Sequence, residues 1–316
     1  MVFNNAIRIT ALPVLVLVLP LQGCATGRTQ RQLQQAVAVL EQRSDPDSLA
    51  AAALLLPLTY PAGVRPAANA AAARALLLRA TTEAPARADL AWVEIEQCRQ
   101  IPGCDARPEE LRLRALDPIN GATWINAMTR ANAANDEAEK MAVLSALAAT
   151  ERVDVYWTTL TVHLTRALAA TDKIALPEAL VEVIGMLGAQ VIPPYGATLS
   201  ACRGERLNDA ATVEDCRGVA SAMERGDTVL TENIGVVIAK LVWPIDSPQW
   251  RAAAEARRVS DYRRRMSNPD MPSLRDPRWA ERYLVLCAQN RREQDVLLAE
   301  LIDEGRSTEP PPDWSP

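Results

Sequence analysis

The chain has 316 residues, of which 49% are hydrophobic and 23% charged, which is ample for a sizeable core and excludes disorder as its default state. A formal charge of −5 argues against nucleic acid as a partner. Alanine supplies roughly a sixth of the residues, and the single Phe is Phe3. Ala and Leu with few β-branched runs favour helices, and small Ala side chains let helices approach closely.

The first element is the N-terminal segment. Arg8 precedes an apolar run from Ala11 to Leu21, and Leu21-Gln22-Gly23-Cys24 follows. The run is about half of what a helix needs to cross a bilayer, so it reads as a cleaved signal. Its pattern resembles the signal peptide and lipobox of bacterial lipoproteins. That resemblance implies cleavage after Gly23, alkylation of the Cys24 thiol with diacylglycerol and acylation of the freed amine. Two or three acyl chains make a stable anchor where one does not. Residues 1–23 are then signal, residues 24–29 a lipidated tether, and the membrane is reached through the N-terminal lipid. Ala25 stands where an Asp would, in enterobacterial-type sorting, favour retention in the inner membrane. The expected address is therefore the outer membrane, facing the periplasm.

Helical patterning follows. Leu33, Val37 and Leu40 form one stripe of a helix over 30–43, and Ser44 or Asp45 caps the next helix at 48–56, with Pro46 tolerated in its first turn. Further helices are expected over 67–81, 86–100, 108–116, 122–133, 136–149, 154–170, 177–191, 213–225, 228–243, 247–266 and 277–304. No alternating strand of useful length is present, so the predicted fold is all-α. A boundary is placed near Ile192-Pro193-Pro194, dividing a hairpin-repeat region, 30–192, from a C-terminal helical region, 193–304. Asn268-Pro269 and Met271-Pro272 mark a second interruption, and the Pro-rich tail 305–316 is expected to be disordered.

Trp92, Trp124 and Trp157 recur at 32- and 33-residue spacing, and Pro85 and Pro118 at 33, a period suited to stacked helical hairpins. The run Leu116-Asp117-Pro118-Ile119-Asn120 followed by Trp124 resembles the junction between two tetratricopeptide units, within residues 86–170. Met128, Ala131 and Lys140 depart from that pattern, so the resemblance is to a degenerate repeat. It implies helical hairpins and protein or peptide binding in a concave groove.

Besides Cys24 there are Cys98, Cys104, Cys202, Cys216 and Cys287. Sequence alone leaves their pairing open, but spacing favours Cys98 with Cys104 across Pro102-Gly103 and Cys202 with Cys216 around a polar segment. Cys287 is left as a buried helix thiol, with an intermolecular bridge or reactive site as the alternative. No metal site, cofactor or catalytic residue is expected. His163 is the only histidine and sits in an apolar-striped helix, which points to a structural or surface role. There is no Gly-x-Ser-x-Gly elbow and no phosphate-cradling loop, and Gly185 and Gly188 read as packing contacts within a helix. Glu94, Glu96, Glu178 and Glu182 read as solvated helix faces. The best surface candidate is Arg257, Arg258, Arg263, Arg264 and Arg265, read either as a face of intramolecular ion pairs or as a contact for an anionic partner. The expected function is a non-catalytic scaffold or adaptor that binds an envelope protein or peptide. The alternatives are a peptidoglycan hydrolase with a Glu acid and a carrier of a hydrophobic ligand. A solvent-lined cleft with a desolvated Glu would favour the hydrolase, a closed apolar cavity the carrier, and an open groove the adaptor.

Overall fold

The structure, a computed structural model, describes residues 27–60, 67–267 and 273–315. The signal segment 1–23, Cys24 and the interruption at 268–272 lie outside the described residues. The chain runs through α1 (Gly27–Glu41), α2 (Pro46–Leu55), α3 (Ala67–Glu83), α4 (Ala88–Arg99) and α5 (Arg107–Leu116). It continues through α6 (Ala122–Ala133), α7 (Glu137–Ala148), α8 (Trp157–Ala169), α9 (Leu176–Gln190) and α10 (Gly196–Ala201). The last third holds α11 (Ala210–Glu224), α12 (Val229–Val242), α13 (Pro248–Met266), α14 (Pro277–Gln289) and α15 (Glu293–Asp303). The fold is all-α, and the only extended pairing among the described residues is one bridge between Asn120 and Arg152.

Helix starts are set by local chemistry. Asp45 caps α2 by accepting from the Ser48 N–H at 2.8 Å, with Pro46 in the first turn where its missing N–H costs nothing. Asp136, Asp209, Thr228 and Ser247 do the same for α7, α11, α12 and α13. In α2 every residue from Ser48 to Leu55 is buried, as expected of a helix that is Ala and Leu on all sides. Against it pack α1, α3 and α8.

The hairpins α4–α5, α6–α7 and α8–α9 pack helix on helix in sequence. Contacts then run from α7 to α11, α12, α13, α15 and α14, and return through α8 to α2, so the stack closes on itself. One apolar core accordingly spans the expected boundary at 192–194, joining Leu54 and Trp92 to Tyr195, Val219 and Ile238. The tryptophan period survives as hairpins but not as equivalent positions. Trp92 is the fifth residue of α4, Trp124 the third of α6 and Trp157 the first of α8.

Three segments differ from expectation. The helix expected over 277–304 breaks at Asn290, whose backbone is extended and whose side-chain amide donates to the Leu286 carbonyl at 2.9 Å. The helix expected from 154 begins at Trp157, because Arg152, Asp154 and Val155 form an extended segment docked on Asn120 and Asp227. The tail expected to be disordered lies along α13 over its described part. There Trp314 meets Tyr262 edge-on at 5.6 Å, and Arg263 donates to the Thr308 carbonyl. Its prolines prevent a helix, but an extended segment still offers free carbonyls to arginine.

Two disulfides staple the fold, Cys98–Cys104 and Cys202–Cys216, with Cα separations of 5.4 and 5.7 Å. Cys287 is free and buried. Non-reducing peptide mapping should recover both pairs and leave Cys287 alkylatable only after unfolding, whereas a Cys98–Cys202 link would contradict the pairing. Opening the 14-residue Cys202–Cys216 loop by a double Cys→Ala change should cost about 3 kcal/mol in denaturant titration.

Candidate interaction surface

The Arg-rich face of α13 is largely neutralised from within the chain. Arg257 pairs with Asp261 at 2.5 Å and Arg258 with Glu255 at 2.9 Å. Arg258 also donates to the Pro311 carbonyl, and Arg263 pairs with Glu309 at 2.7 Å, so the tail covers both. The structure thus separates the five arginines. Arg264 stays well exposed, 3.6 Å from Asp261, and Arg265 is exposed with no ion-pair partner among the described residues.

Next to Arg264 is an open pocket of about 340 Å³ where α8, α9, α12, α13 and α15 meet. Trp157, Ile192, Val229 and Leu230 give it apolar walls, and Asn233, Arg264 and Glu293 its polar groups. The Glu293 carboxylate accepts from the Val229 N–H at 2.8 Å and so caps α12 from outside its own helix. Burial pushes this carboxyl up, against the pull of the Val229 amide and Arg264. From the pocket an aliphatic row runs down α12. Leu230, Ile234, Val237 and Leu241 recur at spacings of four, three and four, which places them on one face. Leu230 is 46% exposed, Val237 and Leu241 40% each, and Ile245, just past the helix end, 69%. Ile234 is partly buried against the core. This row was missed in the sequence, although the signal was there, since α12 is apolar on nearly every side.

The remaining candidates fall into structural roles. His163 Nδ1 lies 2.7 Å from Asp47 Oδ2, and no other side chain bonds its ring among the described residues. Burial would raise the Asp47 carboxyl, but His163 and Arg87 together hold it below the usual carboxylate value. Glu94 and Glu96 are buried rather than solvated, because α4 is enclosed by α3, α5 and the chain around Val191. Burial pushes both carboxyls up, and Glu96 is compensated by Arg99 at 2.6 Å and the Asn126 amide at 2.7 Å. Glu178 is exposed, as expected, and Glu182 half-buried. Burial also pushes the Cys287 thiol up to about 12, so it is no nucleophile at neutral pH. Among the described residues no cluster could hold a metal ion, and no helix is long and apolar enough to cross a membrane.

The Asp-Pro-Ile-Asn run has a role that spacing could not reveal. Asp117 accepts two bonds from Arg152 and one from the Tyr156 hydroxyl, and Asn120 accepts from the Asp154 N–H and donates to its carbonyl. Asp154 also pairs with Arg291, which ties this joint to the segment between α14 and α15. No protein-family model, curated protein or solved structure matches the chain.

Proposed function

We propose that this chain is a lipid-anchored protein of the outer membrane, facing the periplasm, that binds another envelope protein or peptide without catalysing a reaction. The observation that carries the binding reading is the aliphatic row on α12, opening at its head into an uncovered pocket. Apolar rows of this kind on a folded surface mark interaction sites, whereas single exposed aliphatics do not. Stacked hairpins with a degenerate tetratricopeptide-like period fit a binding scaffold, although fold alone does not assign one. The lipobox-like Leu21-Gln22-Gly23-Cys24 supports the anchor, and two disulfides suit an oxidising compartment. Cys24→Ala should abolish processing and metabolic labelling with palmitate. Unchanged labelling would sink the lipoprotein reading.

Glu293 favours a second reading, since a carboxyl raised by burial in an open pocket is what a glycan hydrolase acid requires. Its hydrogen bond to the Val229 amide gives it a capping role that needs no substrate. The two readings part on one assay: purified protein should release no soluble fragments from peptidoglycan. Release that stops in Glu293→Gln would establish the hydrolase instead.

A further inference from the structure

A helix that is apolar on all sides belongs in an interior. The helix α2 fits that description and α12 comes near it, apart from Thr231, Glu232, Asn233 and Lys240, but only α2 is enclosed. The inner side of α12 is sunk into α11 through Gly235, where a Cβ would meet the Glu224 nitrogen at 2.7 Å and the Ala220 carbonyl oxygen at 2.9 Å. Its outer side keeps Leu230, Val237 and Leu241 in solvent, with Lys240 the only charged side chain exposed on the helix.

We infer that this face is a groove for one amphipathic, acidic helix of a partner protein, with one large apolar side chain of that helix seated in the pocket beside Trp157. This rests on the binding reading above and names its partner chemistry. The spacing of Leu230, Ile234, Val237 and Leu241 is the complement of a helix read through i, i+3, i+4 and i+7 anchors. Three exposed, incompletely neutralised cations lie here, Lys240 on the helix, Arg264 at the pocket and Arg265 next to it on α13, against one exposed carboxylate, Asp246, beside Ile245 at the far end. Carboxylates flanking the partner's apolar face satisfy them. A second copy of this chain would instead bring its own Lys240 and Arg264 against the same cations. A flat lipid surface could cover the row but would leave the pocket between Trp157, Ile192 and Val229 unfilled.

The test uses the purified mature chain and two labelled helical peptides, each about four turns long to match α12. Both carry Leu and Ile on one face; one has Glu elsewhere and the other Lys. The acidic peptide should bind at least about tenfold more tightly than the basic one, a preference that shrinks with salt and reverses in Arg264→Glu with Lys240→Glu. Val237→Glu with Leu241→Glu should weaken acidic-peptide binding about tenfold or more while the unfolding midpoint holds, and Ile245→Glu should act in the same direction. Equal binding of both peptides, or binding untouched by the α12 changes, would overturn the groove. So would phosphatidylglycerol vesicle binding, or a dimer in sedimentation, that the Val237 and Leu241 changes abolish while peptide binding stays absent. A photoreactive residue at position 237, compared in intact cells with one at Arg107 or Glu178, separates the two readings. Protein adducts from the control positions alone remove the groove and leave the adaptor, whereas none from any position removes the adaptor as well.

Discussion

Trp92→Ala should lower the unfolding free energy by about 3–5 kcal/mol, the range for deleting a large aromatic from a core that cannot collapse around the void. Trp92 has no exposed surface, and α4 around it is buried from Asp89 to Cys98. Its indole N–H also donates to the Val191 carbonyl at 3.2 Å, so the change orphans a carbonyl where α9 ends. Trp124 is the contrast. It is partly buried, with the Arg114 guanidinium 3.6 Å from its ring centroid, and such a contact near the surface is worth about 0.5–1 kcal/mol. Trp124→Ala should therefore cost well under half as much in urea titration followed by circular dichroism. Equal losses at both sites would mean that the tryptophans fill equivalent places in a regular repeat, contrary to their different registers in α4 and α6.

That contrast shows which features can be read from local spacing. The stripe of Leu33, Val37 and Leu40 and the cap at Asp45 are set within a turn or two of chain, so they are legible in the sequence, where Ser44 or Asp45 stands as the cap. The disulfides were legible for the same reason, since short polar loops limit what each cysteine can reach. Burial of Glu94 and Glu96 was not, because it depends on α3, α5 and the chain around Val191 closing over α4. The contacts of Arg258 and Arg263 with the tail were hidden likewise, as the Pro311 and Thr308 carbonyls lie 53 and 45 residues away along the chain. The row on α12 was written in the sequence but looked like core. Only the closure of the helices shows that one side was left uncovered.

A long-range joint of this kind centres on Asp227, and Asp227→Ala should destabilise the fold by about 2–6 kcal/mol. The carboxylate accepts from the Val155 N–H at 3.0 Å and the Trp157 N–H at 2.8 Å, while its own carbonyl accepts from the Glu293 N–H at 2.8 Å. Between the two amides stands Tyr156, with φ of 59°, a left-handed conformation that costs an L-residue about 1–2 kcal/mol. Alanine would leave both buried amides without an acceptor, at about 1–3 kcal/mol each, and release the turn that starts α8. Asp227→Asn keeps one acceptor oxygen and should lose about half as much. The pair of variants also carries a pH signature. Burial and the neighbouring Asp154 charge push the Asp227 carboxyl up, and the two amides and Arg291 only partly offset this. A carboxyl raised by folding holds its proton more tightly in the native state than in the unfolded chain, where it ionises near pH 4. The stability it gains from that proton is complete below about pH 4 and is lost as pH rises through the higher folded value. Asn does not titrate, so between pH 5 and 8 the Asn variant should lose less stability than the wild type does. Parallel pH profiles for the two proteins, or an Ala variant within 1 kcal/mol of wild type, would show that Asp227 does not hold this joint together.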